Sequence, residues 1–254
     1  MLEREIHTIN LLENDNSTLT QDNRCRLNNI IKCYEKETKQ TFLFDLNKFD
    51  SNAPNYTQII NDQCSAYVGL IAFFKNIPEF CQINIHDQIK LIKSNLRIFS
   101  PLNFMLLTNF AENSQAHNIL SRLHSIDFYH QMKNVKRKLD IFAQDPTVLK
   151  LLLIILVHTI SLLTLNSTVE AISVETVQHA HKTQMFYIEL LWNYMQHAYG
   201  KFQAILIYSL LIFQCLNLQS MIAMRDEHMR RLVNISHVTP LMQSILQLSF
   251  ENDI

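Results

Sequence analysis

The chain has 254 residues, of which 48% are hydrophobic and 18% charged, with a formal net charge of −1. That supplies apolar side chains for one large domain or two small ones, and no charge excess that draws the whole chain to nucleic acid or an anionic membrane. Two glycines and five prolines are too few for antiparallel β-folds or phosphate-cradling loops and favour an all-α domain.

In chain order, residues 1–23 are polar and read as a poorly ordered lead-in. The opening MLEREIHTIN is charged and polar, unlike a signal peptide. From residue 24, Leu27, Ile30, Ile31 and Tyr34 recur at helical spacing, and 41–53 read as a loop closing on Pro54. Helical pattern resumes near Tyr56 with Ile59, Ile60, Cys64, Tyr67, Val68, Ile71 and Phe74, and Pro78 marks its end. Asn84 is placed to cap the next helix, which runs through Asp87, Leu91 and Phe99 with Pro101 as a kink point. Thr108–Asn118 is polar, a loop or a small hairpin. Two helices are predicted over Ile119–Asn134 and Val135–Ala143, then a buried one over Thr147–Leu165.

The apolar run Leu151–Leu165 is the only membrane suspect in this reading. It holds His158, Thr159 and Ser161 and is shorter than the roughly 20 apolar residues of a spanning helix, so no membrane contact is expected. Ser173 opens a long amphipathic helix that Gly200 ends. A second runs over Phe202–Val233, and Pro240 starts a short last helix, LMQSIL.

Chemistry-bearing motifs are scarce. The cysteines (Cys25, Cys33, Cys64, Cys81 and Cys215) include no C-x-x-C pair, which excludes zinc fingers, and their odd, dispersed set suits a reducing compartment. No G-x-S-x-G, H-E-x-x-H or glycine-rich loop occurs. His179 and His181 stand two apart and so point to different sides of a helix, a poor geometry for a metal. No enzyme activity, metal or cofactor is expected.

One stretch is more specific. FFKNIPEFCQINIHDQIKLIK, Phe73–Lys93, resembles the signature of nuclear-receptor ligand-binding domains: an aromatic, a small residue, a basic residue, four variable positions, an aromatic, an aliphatic, then Asp-Gln and two aliphatics. Phe73, Lys75, Phe80, Ile83, Asp87, Gln88, Leu91 and Ile92 fit it, and Phe74 departs from it where a small residue is usual. LNNIIKCYEKETKQTF resembles the family's first helix. SMIAMRDEHMRRL resembles its penultimate long helix in the vitamin-D-receptor and ecdysone-receptor branch, and VTPLMQSIL its final activation helix.

The resemblance covers about residues 24–250, and the domain it implies is expected over 24–254. It implies a three-layer antiparallel helical sandwich of about ten to twelve helices, without a DNA-binding domain or nucleic-acid contact in this chain. It also implies a nuclear protein that regulates transcription by binding a lipophilic ligand and LxxLL-type coregulator helices. A receptor-like interaction module acting through protein partners alone is the alternative.

By the same resemblance, Lys75 and Lys93 flank a coregulator groove floored by Ile71, Ile85, Gln88 and Ile89. A lysine there donates to the orphan carbonyls of the partner helix. Leu241, Met242, Ser244 and Ile245 form the second wall, with Ser244 where the family has a glutamate. Asn61, Ser65, Val68, Phe99, Asn103 and His228 are the expected ligand contacts. Ile98, and TLNSTVEA after the buried helix, replace the residues of an ion pair common in partners of the retinoid X receptor, so pairing with that receptor is expected to be weak. The helix Phe202–Leu218 offers Ile205, Leu206, Leu210 and Phe213 to a homo- or heterodimer. An LxxLL at Leu149–Leu153 lies inside the buried run and is discounted as a coactivator motif.

Overall fold

A computed structural model describes residues 19–39, 55–108, 126–160, 172–232 and 237–244, with the side chains of Lys39, Arg97 and 222–232 outside that description. Every regular element among the described residues is helical. In chain order they are α1 (Gln21–Lys39), α2 (Tyr56–Phe74), the one-turn α3 (Pro78–Cys81), α4 (Ile85–Leu107), α5 (Ile126–Leu139) with a 3₁₀ turn at Asp140–Phe142, α6 (Thr147–Val157), α7 (Val174–Tyr199), α8 (Lys201–Leu232) and α9 (240–244).

Local chemistry sets most boundaries. Thr20 Oγ1 accepts from Asn23 N, so α1 begins before residue 24, and Leu19 is already buried. Asn55, Asn84 and Ser173 cap α2, α4 and α7, each accepting from the backbone N–H three residues on. Gly200 ends α7 with φ +77°, which a side chain rarely tolerates.

Three expectations change, and α4 continues as one helix past its expected kink point. Proline 78 does not merely end a helix; it opens α3 at a position where its missing N–H costs nothing. Helix α4 runs through Pro101 to Leu107. One helix spans Asn134 and Val135, because Phe128, Val135 and Leu139 form an uninterrupted buried stripe with no breaker between them. Helix α6 stops at Val157 rather than Leu165: side chains take over its last carbonyls, Thr159 Oγ1 donating to Ile155 O and His158 Nδ1 meeting Ile154 O at 2.8 Å.

Helix α1 packs on α2 and α6, and α2 on α4. Helices α4 and α6 pack on each other, α6 on α7, and α8 on α5, α7 and α4. Thus α4, α6 and α7 connect the α1–α2 pair with the α5–α8 pair. Polar ties reinforce these contacts. Tyr34 Oη donates to Asn103 Oδ1, Asn95 Nδ2 donates to Thr159 O, and Asp145 accepts from Tyr194 and Tyr199.

The LxxLL at Leu149–Leu153 is fully inside, and Lys150 between those leucines is 4% exposed, with Nζ on Glu35 and over the Tyr34 ring. Among the described residues, the helical span long and apolar enough to cross a membrane lies in α8, at Lys201–Met221, whereas α6 is too short. Its outer face carries exposed Phe202, Ile205, Leu206, Ile212, Phe213 and Leu216, while Leu210 is half-buried.

Candidate helix-binding groove

The groove is built on the end of α2. Lys75 N–H donates to Ile71 O, Asn76 Nδ2 to Ala72 O and Ile77 N–H to Phe74 O, so the last turn leaves few orphan carbonyls. Cys81 Sγ, from α3, donates to Lys75 O. The Lys75 backbone is thereby fixed while its side chain stays exposed.

Successive helical residues turn by about 100°, so Asn61, Cys64, Val68, Ile71 and Lys75 fall within about 40° of one line along α2. Val68 on that line is 48% exposed, although the sequence reading assigned it to a ligand. On α4 the same spacing aligns Ile85, Ile89, Ile92 and Lys93; Ile85 is 53% and Ile89 45% exposed, and Ile92 and Lys93 are half-buried. Large aliphatic side chains are thus left open on each of two helices that pack on each other, the material of an apolar strip.

The third part is α9. Thr239 N–H donates to Asn61 Oδ1 at 2.7 Å, and Asn61 Nδ2 donates to His237 O at 3.5 Å. Met242 is buried, and Leu241 and Ser244 are half-buried; Ile245 lies outside the described residues. Gln243 Nε2 donates to Val238 O within its own turn. Fourteen residues separate Asn61 from Lys75, about 21 Å along α2, which exceeds the roughly 12 Å of an eight-residue helix.

The strip is supported from behind. Gln88, expected on its floor, is buried and donates to Ile83 O at 2.7 Å, bracing the entry into α4. Its neighbour Asp87 is 4% exposed and accepts from Asn84 Nδ2, Ser173 Oγ and Ser173 N–H, which joins the N-termini of α4 and α7. Burial favours the neutral acid, but hydrogen bonds from Thr176, Asn84 and Ser173 outweigh it and bring its pKa down to about 2. Lys90 completes the cluster at 3.7 Å. Among the described residues neither Lys75 nor Lys93 has an ion pair.

The residues expected to meet a ligand are dispersed. Asn61 holds the α9 segment. Asn103 is buried, accepts from Tyr34 and donates to Ala66 O at 3.5 Å. Ser65 Oγ donates to Asp62 O in its own helix. Phe99 is fully buried with its ring 5.2 Å from that of Phe74, and Phe74 in turn meets Phe73 and Phe80. The His228 side chain and the segment 164–171 lie outside the described residues, and Ile98 is half-buried in α4.

A cleft of about 590 Å³ opens elsewhere, between α1, the 76–78 turn and Tyr187 of α7, and none of the expected ligand residues lines it. Beside it Glu79 accepts from Arg26 and Tyr187. Burial pushes the Glu79 carboxyl up, but those two hydrogen bonds prevail and hold it below its ordinary pKa. Among the described residues no group of three His, Cys, Asp or Glu could hold a metal.

No protein-family model matches the chain, and no curated protein matches it.

Proposed function

We propose that this chain is a nuclear-receptor-type domain that binds helical coregulator motifs and thereby regulates transcription in the nucleus, with no catalytic role. The observation that carries this reading is the exposed aliphatic side chains of Val68, Ile85 and Ile89, with half-buried Ile71, beside Lys75, which has no ion pair among the described residues, and an α9 segment tied to Asn61. An amphipathic helix lays its leucines on such a strip, and a lysine at one end meets its orphan carbonyls. Two further features support the receptor type: the order of helix packing, with α4, α6 and α7 between two helix pairs, and the agreement of Phe73–Ile92 with the family signature.

The ligand-independent form of this reading has an observation in its favour. Asn61 and Asn103 spend their amides on the protein, and Phe74 packs on Phe99 where a small residue is usual. The exposed face of α8 is the proposed contact for a second copy or a related receptor.

The test is fluorescence anisotropy with a labelled LxxLL peptide. The intact domain binds it, and Lys75→Ala or Ile89→Asp weakens it while circular dichroism stays helical. Binding that is indifferent to both changes refutes the groove. Native mass spectrometry of the purified domain separates the two forms, since a stoichiometric retained lipid contradicts the ligand-independent one.

A further inference from the structure

The outer face of α8 has an internal symmetry. Phe202, Ile205, Leu206, Ile212, Phe213 and Leu216 are all exposed. At about 100° and 1.5 Å per residue they fall in one stripe about 120° wide and about 21 Å long. Ser209 stands at its midpoint and is exposed, with the large side chains three, four and seven residues away on either side. Its hydroxyl donates to Ile205 O at 2.9 Å, so it brings no orphan donor into a contact. No charged residue occurs between Lys201 and Arg225. Lys138 lies at the margin, with Nζ 5.6 Å from the centre of the Phe213 ring.

A twofold contact requires a patch that complements itself. With a second α8 laid antiparallel across the stripe and the axis at Ser209, Leu206 meets Phe213 of the second copy, Ile205 meets its Ile212, and Phe202 meets its Leu216. Every large side chain then packs on a large apolar side chain, and the small residue sits where the two helices approach most closely. Charge selects this direction over the parallel one. The antiparallel order keeps the two Lys138 ammoniums about 12 Å apart along the ridge. The parallel order brings them to one level and sets the two Lys201 ends, each the positive end of a helix dipole, side by side.

We infer that the occupant of this face is a second copy of the chain, paired through antiparallel α8 helices that cross at Ser209. The inference rests on the assignment of the α8 face proposed above, selects one occupant and one orientation for it, and is independent of the coregulator groove.

The experiment is sedimentation velocity on the full chain with Ile205→Lys, with Ile212→Glu and with the two together, circular dichroism confirming helicity in each. Both positions are on the surface. They are seven residues apart, beyond the three- and four-residue spacing at which side chains of one helix pair. The parent is expected to dimerise in a concentration-dependent way. Each single change should raise the dissociation constant of the dimer about tenfold or more, because a charge then faces an isoleucine. The double change should recover most of that loss, since each new ammonium faces a new carboxylate on the second copy.

Single changes that weaken the dimer without recovery in the double overturn the inference, while the α8 face stands with another orientation. A dimer indifferent to all three changes overturns both. A monomeric parent overturns the inference and leaves the ridge to a related receptor or, if the chain co-sediments with phosphatidylcholine vesicles, to lipid.

Discussion

Asp87 offers the sharpest test of how the groove is held. Its carboxylate is almost wholly buried, yet it stays ionised because Asn84 and Ser173 direct donors at it and Lys90 lies near. The fall in its pKa from the ordinary 3.8 to about 2 corresponds, at about 1.4 kcal/mol per unit, to about 2 kcal/mol of stability at neutral pH. The folded form has the lower pKa, so this contribution is complete well above 3.8 and is lost as pH falls toward 2. Linkage leaves roughly half of it near pH 3 and little of it near pH 2.

Asp87→Asn keeps one acceptor oxygen but turns an amide donor toward the donors of Ser173. Urea unfolding followed by circular dichroism should show a loss of about 2 kcal/mol at neutral pH. The gap between variant and parent should narrow steadily below about pH 4. Equal stability at neutral pH, or a gap that ignores acid, refutes the idea that this carboxylate joins α4 to α7.

Other outcomes follow from the same packing. Phe74→Ala should cost about 3–5 kcal/mol in chemical denaturation and leave an apolar space beside Phe99 that binds a probe such as xenon. His158, 1% exposed between Phe80 and Tyr187, has its pKa pushed down to about 4 by burial. The unfolded chain therefore takes up the proton first, and stability should fall between its ordinary 6.5 and about 4. Its imidazole resonances should remain those of the neutral ring above that range, and titration near 6.5 contradicts this burial. If two copies pair through α8, the parent chain should show a concentration-dependent dimer in sedimentation velocity, and replacing Leu206 and Phe213 with Glu should convert it to monomer with the circular dichroism spectrum unchanged; a monomeric parent or an unaltered dimer excludes the α8 face.

Much of the architecture was legible in one dimension. Scarce glycine and three-four apolar spacing are properties of the chain itself, and they dictate helices that need one another to bury their stripes. Caps at Asn84 and Ser173 and the stop at Gly200 are local chemistry, so residue type and position suffice to find them. The face of α2 was read only in part: Ile71 and Lys75 were expected on the groove, but Val68, three residues before Ile71 and seven before Lys75, was expected at a ligand and is exposed instead.

What remained hidden depends on residues far apart in the chain. Asn61 meets Thr239 across 178 positions and Asp87 meets Ser173 across 86, and no periodicity encodes such pairs. The end of α6 was hidden for the same reason: the run 151–165 is apolar throughout, while Asn95 and Gln184 from other helices bind Thr159 just beyond the last helical turn. Hydropathy likewise could not tell the inner helix α6 from α8, which is long and apolar enough to span a membrane and shows one face to solvent. A side chain's type sets what it can bury, but only the packing of its neighbours decides whether it does.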